Sequence, residues 1–285
     1  MHSKFKVLWI DANTCYGCSH SFFNYKEISS LFDEIEFLYH PLFLSNDFSI
    51  QNSDLLIVEG ALRENFFRMG YEFNELLDSL IKRASNILAL GTCAVYGGIY
   101  GEGLMFNKKE KGKYFDLNII NLPGCPPHPD WIVYILNMLK SNKQILLDEL
   151  NRPKEIFAYT SHMGCIRNEY FDWKIDAKDF GEKEGCLFYL QGCQGPFTHG
   201  NCNKILWNEV NSKPRAGTPC FGCTEADFPK DNLFKTDTFM GIPANIPLGV
   251  SKRAYLTLSG VAKSLKNDRL EKKLINYLKE KDEDK

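Results

Sequence analysis

The stretch VLWIDANTCYGC at residues 7–18 shows the pattern on which the first half of the chain is built. Its apolar run has the composition of a buried strand, and two cysteines follow where a loop would begin. An apolar run that ends in a cysteine loop returns at residues 86–93 and at residues 118–125. In an open parallel sheet, the loops that follow the strands meet at one edge. We therefore expect four thiols to converge there: Cys15, Cys18, Cys93 and Cys125.

Strand and helix patterns alternate through the first 150 residues. Apolar runs predict strands at residues 6–10, 36–39, 55–58, 86–90 and 118–122. Apolar residues at helical spacing predict helices at residues 21–32, 72–83 and 130–140. This repetition predicts an α/β domain over residues 1–150, a flavodoxin-like open parallel sheet with helices on both faces.

Residues 151–285 lose this rhythm and are rich in glycine, proline, asparagine and aromatic residues. Amphipathic patterns predict helices only near the end, at residues 255–265 and 268–279. A segment this long with little regular structure normally lacks a core of its own. We expect metal clusters to supply the missing cross-links, as metal sites do in small domains. The sequence thus predicts a second, irregular and loop-rich cluster domain over residues 151–285.

Composition excludes several classes of partner. The chain has 285 residues, a net charge of −2 and 44% hydrophobic residues, which is typical of a globular protein with no nucleic-acid partner. No stretch approaches the ~20 apolar residues that a membrane helix needs. The first residues contain neither an apolar signal region nor a twin arginine. We therefore expect the protein in the cytoplasm.

Ten cysteines allow three interpretations. Disulfides are disfavoured, because a chain without a secretory signal meets a reducing compartment. The two-residue spacings of Cys15–Cys18 and Cys220–Cys223 are typical of zinc knuckles, which would give a colourless scaffold. Zinc knuckles usually close locally, with a second pair ~12–20 residues on. The first pair here must instead find distant partners, which favours iron–sulfur clusters ligated from separate loops.

The cysteine loops and their neighbours resemble the small subunit of nickel–iron hydrogenases. The similarity extends from about residue 5 to about residue 265, and the motifs occur in the family's order. The matching motifs are Cys15-Tyr-Gly-Cys18-Ser, Val58-Glu-Gly60, Gly91-Thr-Cys93-Ala-Val-Tyr-Gly-Gly98, Leu122-Pro-Gly-Cys125-Pro-Pro-His-Pro-Asp-Trp131, Gly192-Cys-Gln-Gly-Pro196, Asn201-Cys202 and Ala216-Gly-Thr-Pro-Cys220-Phe-Gly-Cys223-Thr-Glu-Ala-Asp-Phe228.

The resemblance implies three iron–sulfur clusters in a line. It assigns a proximal 4Fe–4S cluster, nearest the nickel–iron site, to Cys15, Cys18, Cys93 and Cys125. It assigns a distal 4Fe–4S cluster, nearest the surface, to His162, Cys165, Cys186 and Cys193. The medial cluster falls to Cys202, Cys220 and Cys223, and three thiolates predict a 3Fe–4S cluster. A medial 4Fe–4S cluster with another fourth ligand stays open, because Pro214 is shifted by one from the family's usual proline.

Some positions depart from the family pattern. Gly17 and Gly98 stand where oxygen-tolerant members carry extra cysteines, which implies an ordinary four-cysteine proximal cluster. His20 replaces a usual glutamate, and the step from Cys186 to Cys193 is seven residues where six is usual. Glu59 is interpreted as a structural or interface carboxylate. His20 and His128 are expected to be structural or to hydrogen-bond cluster sulfurs.

The implied function is electron transfer within a hydrogen:acceptor oxidoreductase, with no catalytic residue in this chain. Electrons from H2 oxidation at a large subunit's nickel–iron centre would pass through this chain to a ferredoxin, a cytochrome or a quinone-linked protein. The expected partner interface is large and apolar, and higher oligomers of the heterodimer are allowed. Aromatic residues of the first domain are expected either in this interface or in the core of the domain. These residues are Phe22, Phe23, Tyr25, Phe66 and Tyr71.

Other functions remain open at this point. The nearest alternative is the small subunit of a regulatory, hydrogen-sensing hydrogenase. A stand-alone iron–sulfur carrier is a more distant one. A subunit like that of respiratory complex I has a similar N-terminal half, but it lacks the clusters of the second half.

Overall fold

A computed structural model describes residues 4–43, 47–107, 110–231, 233–239, 242–246 and 251–265. The strands are β1 (Phe5–Asp11), β2 (Ile35–Tyr39), β3 (Ser53–Glu59), β4 (Phe67–Arg68), β5 (Tyr71–Glu72), β6 (Ala84–Leu90), β7 (Phe106–Asn107), β8 (Glu110–Lys111), β9 (Ile120–Leu122), β10 (Thr238–Phe239) and β11 (Ile242–Pro243). The α-helices are α1 (Gly17–Phe23), α2 (Ile28–Glu34), α3 (Phe73–Ile81), α4 (Gly91–Tyr96), α5 (Pro129–Lys140), α6 (Lys154–Phe157), α7 (Asn168–Asp172), α8 (Phe188–Gln191) and α9 (Lys252–Leu265). Two 3₁₀ turns lie at Ser161–Gly164 and Gly195–Phe197.

Five of the strands form one parallel sheet in the order β2-β1-β3-β6-β9. This is the flavodoxin-like order, in which the chain reverses direction across the sheet beside the first strand. The predicted α/β fold is confirmed, and each predicted strand lies within two residues of its observed bounds. The carboxyl ends of β1, β3, β6 and β9 therefore lie side by side at one edge.

Both faces of the sheet are covered, because alternate residues of each strand point to opposite sides. Val7 and Trp9 of β1 belong to the core on one face, and Leu8 and Ile10 belong to the core on the other. Helix α3 packs on the second of these cores and α5 on the first. Unbroken apolar runs are what a sheet buried on both faces requires. This explains why the strands were visible in the sequence.

The predicted helix at residues 21–32 is wrong, because α1 and α2 are separated by residues 24–27. Asn24 ends α1, and its side-chain amide donates a 2.8 Å hydrogen bond to Asn208 Oδ1. Phe22 and Leu31 nevertheless share one core. The apolar spacing therefore reflected burial by two short helices. Among the aromatic residues considered for an interface, Phe22 is buried against Trp9, while Tyr71 is exposed.

The second half is irregular, as predicted, with short helices joined by loops. Its small core contains cysteines alongside aromatic residues, and Tyr255 of α9 packs into it. Helix α9 confirms the predicted helix at residues 255–265, whereas the one at residues 268–279 lies outside the described residues. The division into two domains near residue 150 stays a prediction. Among the described residues, no helix has the length and apolar character needed to cross a membrane.

An ionic network around the buried Arg152 joins the two halves of the chain. Arg152 is 5% exposed, and its Nε donates a 2.8 Å hydrogen bond to Asp148 Oδ2. Its Nη1 lies 3.7 Å from Glu225 Oε1, which also accepts a hydrogen bond from the His199 backbone N–H at 2.6 Å. Burial alone would raise the pKa of Glu225, but hydrogen bonds from His199 and the charge of Arg152 outweigh it and lower that pKa. The network anchors the loop that begins at Cys223.

Candidate functional site

The structure brings four thiols together at the carboxyl edge of the sheet. Cys15 lies between β1 and α1, and Cys18 lies in the first turn of α1. Cys93 lies in α4 directly after β6, and Cys125 follows β9. Burial raises the pKa of Cys18 well above the ordinary value, and the charges of Glu59, Cys93, Cys125 and Cys15 raise it further. The other three thiols and the Glu59 carboxylate are therefore all close enough to act on Cys18. The shared edge explains how residues 110 positions apart in sequence meet.

Burial raises the pKa of three thiols of this proximal group, Cys18, Cys93 and Cys125. Burial raises the pKa of Cys93 to about 11, with Cys125, Cys15 and Glu59 adding to the effect. Burial and the charge of Cys15 also raise the pKa of Cys125. Deprotonating several neighbouring thiols with no bound cation is unfavourable, because each thiolate repels the next. A bound cationic iron centre would supply the missing positive charge and displace the protons.

Glycines leave the space that this group needs. A Cβ atom on Gly91 would come within 2.5 Å of Cys18 Sγ, and one on Gly98 would come within 2.8 Å of Cys93 Sγ. Gly17 lies against Cys15 in the same way, at 3.3 Å. Gly91 also has a φ of +89°, which residues with a Cβ rarely adopt. Gly17 and Gly98 thus both lie beside a proximal thiol.

Gly91→Ala is expected to lose the proximal cluster selectively, because its new methyl group would overlap Cys18 Sγ and strain the backbone. The measurement is the iron and sulfide content of the purified protein. Gly70→Ala is the matched control, since Gly70 has a φ of +83° but nothing within 4 Å of its added Cβ. If Gly91→Ala binds as much iron as the unsubstituted protein, the proposed crowding is wrong.

Glu59 organises the Cys15–Cys18 loop from beneath. Glu59 is the last residue of β3 and is 0% exposed. Its carboxylate accepts hydrogen bonds from the backbone N–H groups of Cys18 and Ser19, both at 3.2 Å. Trp9 Nε1 and Thr14 Oγ1 also donate to it at 3.1 Å, and the Ser19 hydroxyl donates as well. The expectation of a structural carboxylate fits this geometry. The sequence held no sign that Glu59 holds the cysteine loop itself.

A second group contains His162, Cys165, Cys186 and Cys193. The 3₁₀ turn Ser161–Gly164 holds His162 three residues before Cys165, and a Cβ on Gly195 would lie 3.4 Å from Cys193 Sγ and 3.7 Å from the His162 backbone nitrogen. Burial raises the pKa of Cys186 to about 12, and the charge of Cys165 contributes. Burial lowers the pKa of His162, which favours the neutral imidazole that binds metals.

Backbone amides point at the sulfur atoms of this distal group. The N–H of Arg167 donates to Cys165 Sγ at 3.4 Å, and that of Phe188 donates to Cys186 Sγ at 3.4 Å. The N–H of Cys220 donates to Cys193 Sγ at 3.3 Å. Such hydrogen bonds stabilise sulfur that carries negative charge and help to set the potential of an iron–sulfur centre.

Cys202, Cys220 and Cys223 form the third group, which lies between the other two. Burial raises the pKa of Cys202 to about 12, and the charges of Cys220 and Cys223 raise it further. The charge of Cys125 in the proximal group also raises the pKa of Cys223, and the charge of Cys220 raises the pKa of Cys193 in the distal group. The thiols thus form a continuous series in the order Cys125, Cys223, Cys220 and Cys193.

Thr92 connects three of the cysteine loops, and sequence reasoning missed it. This buried residue precedes Cys93, its hydroxyl accepts a 2.9 Å hydrogen bond from the Gly124 N–H, and it donates to the carbonyl of Cys223. Its only sequence signal was its place in the Gly91-Thr-Cys93 motif. Of the two histidines considered beside the clusters, His20 is exposed, and His128 caps α5 by accepting a hydrogen bond from the Asp130 N–H.

The donor groups fit iron–sulfur clusters. All ten cysteines are free, so the disulfide interpretation is wrong. Among the described residues, no group of three or more His, Cys, Asp or Glu lies close enough to hold a single metal ion. Thiols that come from separate loops and act on one another electrostatically are the kind of donor set that ligates iron–sulfur centres. Which residues ligate which centre stays a prediction.

Comparison with known protein families identifies two matching models. Residues 157–235 match the family that describes the C-terminal part of NiFe/NiFeSe hydrogenase small subunits. Residues 15–139 match the family of the NADH ubiquinone oxidoreductase 20 kDa subunit. The complex I-like alternative therefore accounts for the first half alone, since the second half matches a hydrogenase family.

Similar proteins extend across both halves. The periplasmic nickel–iron hydrogenase small subunit 1 of Nitratidesulfovibrio vulgaris is 32% identical over 255 residues, which cover 78% of each chain. The F420 non-reducing hydrogenase I small subunit of Methanosarcina mazei is 30% identical, and the match covers 79% of this chain and 73% of that protein. The reduced nickel–iron–selenium hydrogenase structure from Desulfomicrobium baculatum aligns with a TM-score of 0.70 and 28% identity, over 82% of this chain and 100% of the other.

Proposed function

Because the chain belongs to the family of nickel–iron hydrogenase small subunits, we propose that it carries electrons between a hydrogenase large subunit and an external acceptor. The observation that supports this most directly is the continuous series of thiols from Cys125 through Cys223 and Cys220 to Cys193. The family implies iron–sulfur clusters and a large subunit that carries the nickel–iron centre. Hydrogen itself would react on that partner.

The ligand assignment follows the three groups of thiols. In our proposal Cys15, Cys18, Cys93 and Cys125 hold a 4Fe–4S cluster that faces the large subunit. The distal 4Fe–4S cluster is held by His162, Cys165, Cys186 and Cys193, and the medial 3Fe–4S cluster by Cys202, Cys220 and Cys223. Iron–sulfur clusters accept and release one electron at a time, which is the chemistry that they supply.

The protein's own part is to hold the groups in order, exclude water and set the local charge. Cys18, Cys193 and Cys223 are enclosed enough that burial is the largest influence on each thiol's pKa. Low exposure strengthens electrostatic effects on a bound centre. The amide hydrogen bonds at Cys165, Cys186 and Cys193 favour negative charge on sulfur. The carboxylate of Glu59 acts in the opposite sense beside the proximal group.

Location and acceptor are further parts of the proposal. A cytoplasmic location stays a prediction, and the relatives include proteins named periplasmic and proteins named F420 non-reducing. A ferredoxin, a cytochrome or a quinone-linked protein stays the proposed acceptor, and association of heterodimers stays open. No observation favours the hydrogen sensor over the catalytic enzyme.

The test is to co-express the chain with a hydrogenase large subunit, purify the complex without oxygen, and measure nickel, iron and sulfide. We expect a brown complex that contains all three elements, bleaches under H2 and reduces a dye with H2. A rate too low for turnover, with metals intact, would identify the sensor instead. A colourless zinc protein, or a chain that does not associate with the large subunit, would contradict the proposal.

A further inference from the structure

Lys213 lies where the proximal and medial groups meet. Its half-buried side chain places Nζ 5.2 Å from the centroid of the Phe221 ring, and Phe221 stands between Cys220 and Cys223 in the chain. The ammonium group therefore lies against the loop that carries two of the medial thiols. Neither the family models nor the predicted ligand sets gave this lysine a role.

The backbone around Lys213 is held firmly. Its carbonyl accepts a 2.9 Å hydrogen bond from the Thr218 N–H, which closes a tight turn. The carbonyl of the next residue, Pro214, accepts a 2.7 Å hydrogen bond from Nε of the buried Arg167. Nη1 of Arg167 in turn donates to the carbonyl of Gly185 at 2.6 Å. These contacts fix the start of the lysine side chain relative to the cysteine loops.

The charge of Lys213 acts on two groups of thiols at once. It partly offsets the effect of burial on Cys202 and Cys223 in the medial group, whose pKa values are raised. It also partly offsets the rise in the pKa of Cys125 in the proximal group. Different side chains supply the positive charge near the distal thiols: Arg167 opposes the rise in the pKa of Cys165, and Lys174 opposes that of Cys186. Lys213 is thus a cation shared by the proximal and medial groups.

We propose that Lys213 is a positioning residue for electron transfer, whose fixed positive charge stabilises the reduced state of the medial cluster and, more weakly, that of the proximal cluster. The inference rests on the proposed function, because it needs clusters on these thiols. Each added electron makes a cluster more negative, so a cation held beside it makes reduction more favourable. Because the Lys213 ammonium lies over Phe221, between two of the medial ligands in the chain, the medial cluster gains more than the proximal cluster. Electrons arriving from the proximal side therefore meet a more favourable medial site.

The experiment is a redox titration of the assembled heterodimer followed by electron paramagnetic resonance. The medial signal is identified as the one that Cys202→Ser removes. Lys213→Met is expected to make reduction of the medial cluster about tenfold less favourable, a shift of about 59 mV for a one-electron couple. The proximal signal should move in the same direction by less. Lys213→Arg should leave both signals near their original potentials, because it keeps the charge.

Lys113→Met is the matched control, since Lys113 is half-exposed and pairs with Asp78. Its potentials should equal those of the unsubstituted protein. The inference is overturned if Lys213→Met leaves the medial potential unchanged, or if Lys213→Arg shifts it as far as Lys213→Met does. A heterodimer without any iron–sulfur signal before substitution would instead contradict the proposed function.

Loss of the medial cluster in Lys213→Met would also be decisive, with Lys213→Gln as the second neutral variant. If both neutral variants lose medial iron while Lys213→Arg retains it, the charge is required and the inference is supported. If Lys213→Arg loses the iron as well, the role of the side chain is structural and the inference is overturned.

Discussion

Glu59→Leu is expected to abolish binding of the proximal cluster and hydrogen-dependent dye reduction with it. The carboxylate accepts hydrogen bonds from Trp9, Thr14, Cys18 and Ser19, and it is 0% exposed. Leucine offers no acceptor, and each buried donor left unsatisfied costs about 1–3 kcal/mol. Because several donors share this one acceptor, the Cys15–Cys18 loop cannot keep its conformation. Without the proximal cluster, electrons cannot leave the large subunit.

The measurements for Glu59 are iron content, the proximal paramagnetic signal and dye reduction under H2. Glu59→Gln keeps one acceptor oxygen, so it should retain part of the iron, and loss of the negative charge should make the remaining proximal cluster easier to reduce. Glu64→Gln is the control, because Glu64 is exposed in the loop after β3. A Glu59→Leu complex with a full iron content and normal dye reduction would show that the loop does not depend on this carboxylate.

The sheet was predictable because burial on both faces leaves a direct trace in the sequence. Four of the five strands of the sheet contain apolar residues at consecutive positions, as Leu55 to Val58 do, and few other structures require such runs. The break between α1 and α2 left no such trace. Phe22 and Leu31 keep a helical spacing although they lie on different helices, and in the turn between them the Asn24 side chain contacts Asn208. A contact between residues 184 positions apart has no local signature.

The candidate site was predictable to the extent that cysteine is a rare residue with specific chemistry. The resemblance predicts how the cysteines group, and in the structure thiols of each predicted group act on one another electrostatically. The supporting residues were not predictable in this way. Glu59, Thr92 and Lys213 are common residue types whose roles come from tertiary contacts with distant loops. Their functions require coordinates, since burial and charge act through space.

Cys220→Ala is expected to interrupt electron transfer at the centre of the thiol series. Cys220 raises the pKa of Cys202 and Cys223 on the medial side and that of Cys193 on the distal side, so it lies between the two groups. Its thiol also lies 3.6 Å from Ser161 Oγ, beside the turn that carries His162. Alanine removes one of only three proposed medial ligands, and the medial cluster should be lost. Dye reduction with H2 should fall to background.

The Cys220→Ala variant also distinguishes electron transfer through the clusters from the hydrogen chemistry at the large subunit. Exchange of hydrogen isotopes at the large subunit should persist in Cys220→Ala, because the proximal group is untouched and no electron has to leave the complex. Cys186→Ala is the matched comparison, since Cys186 acts on the distal thiols and should cost the distal signal while the medial signal remains. The order of the groups is wrong if Cys220→Ala keeps its medial signal. It is equally wrong if Cys186→Ala, with its remote position, removes the proximal signal.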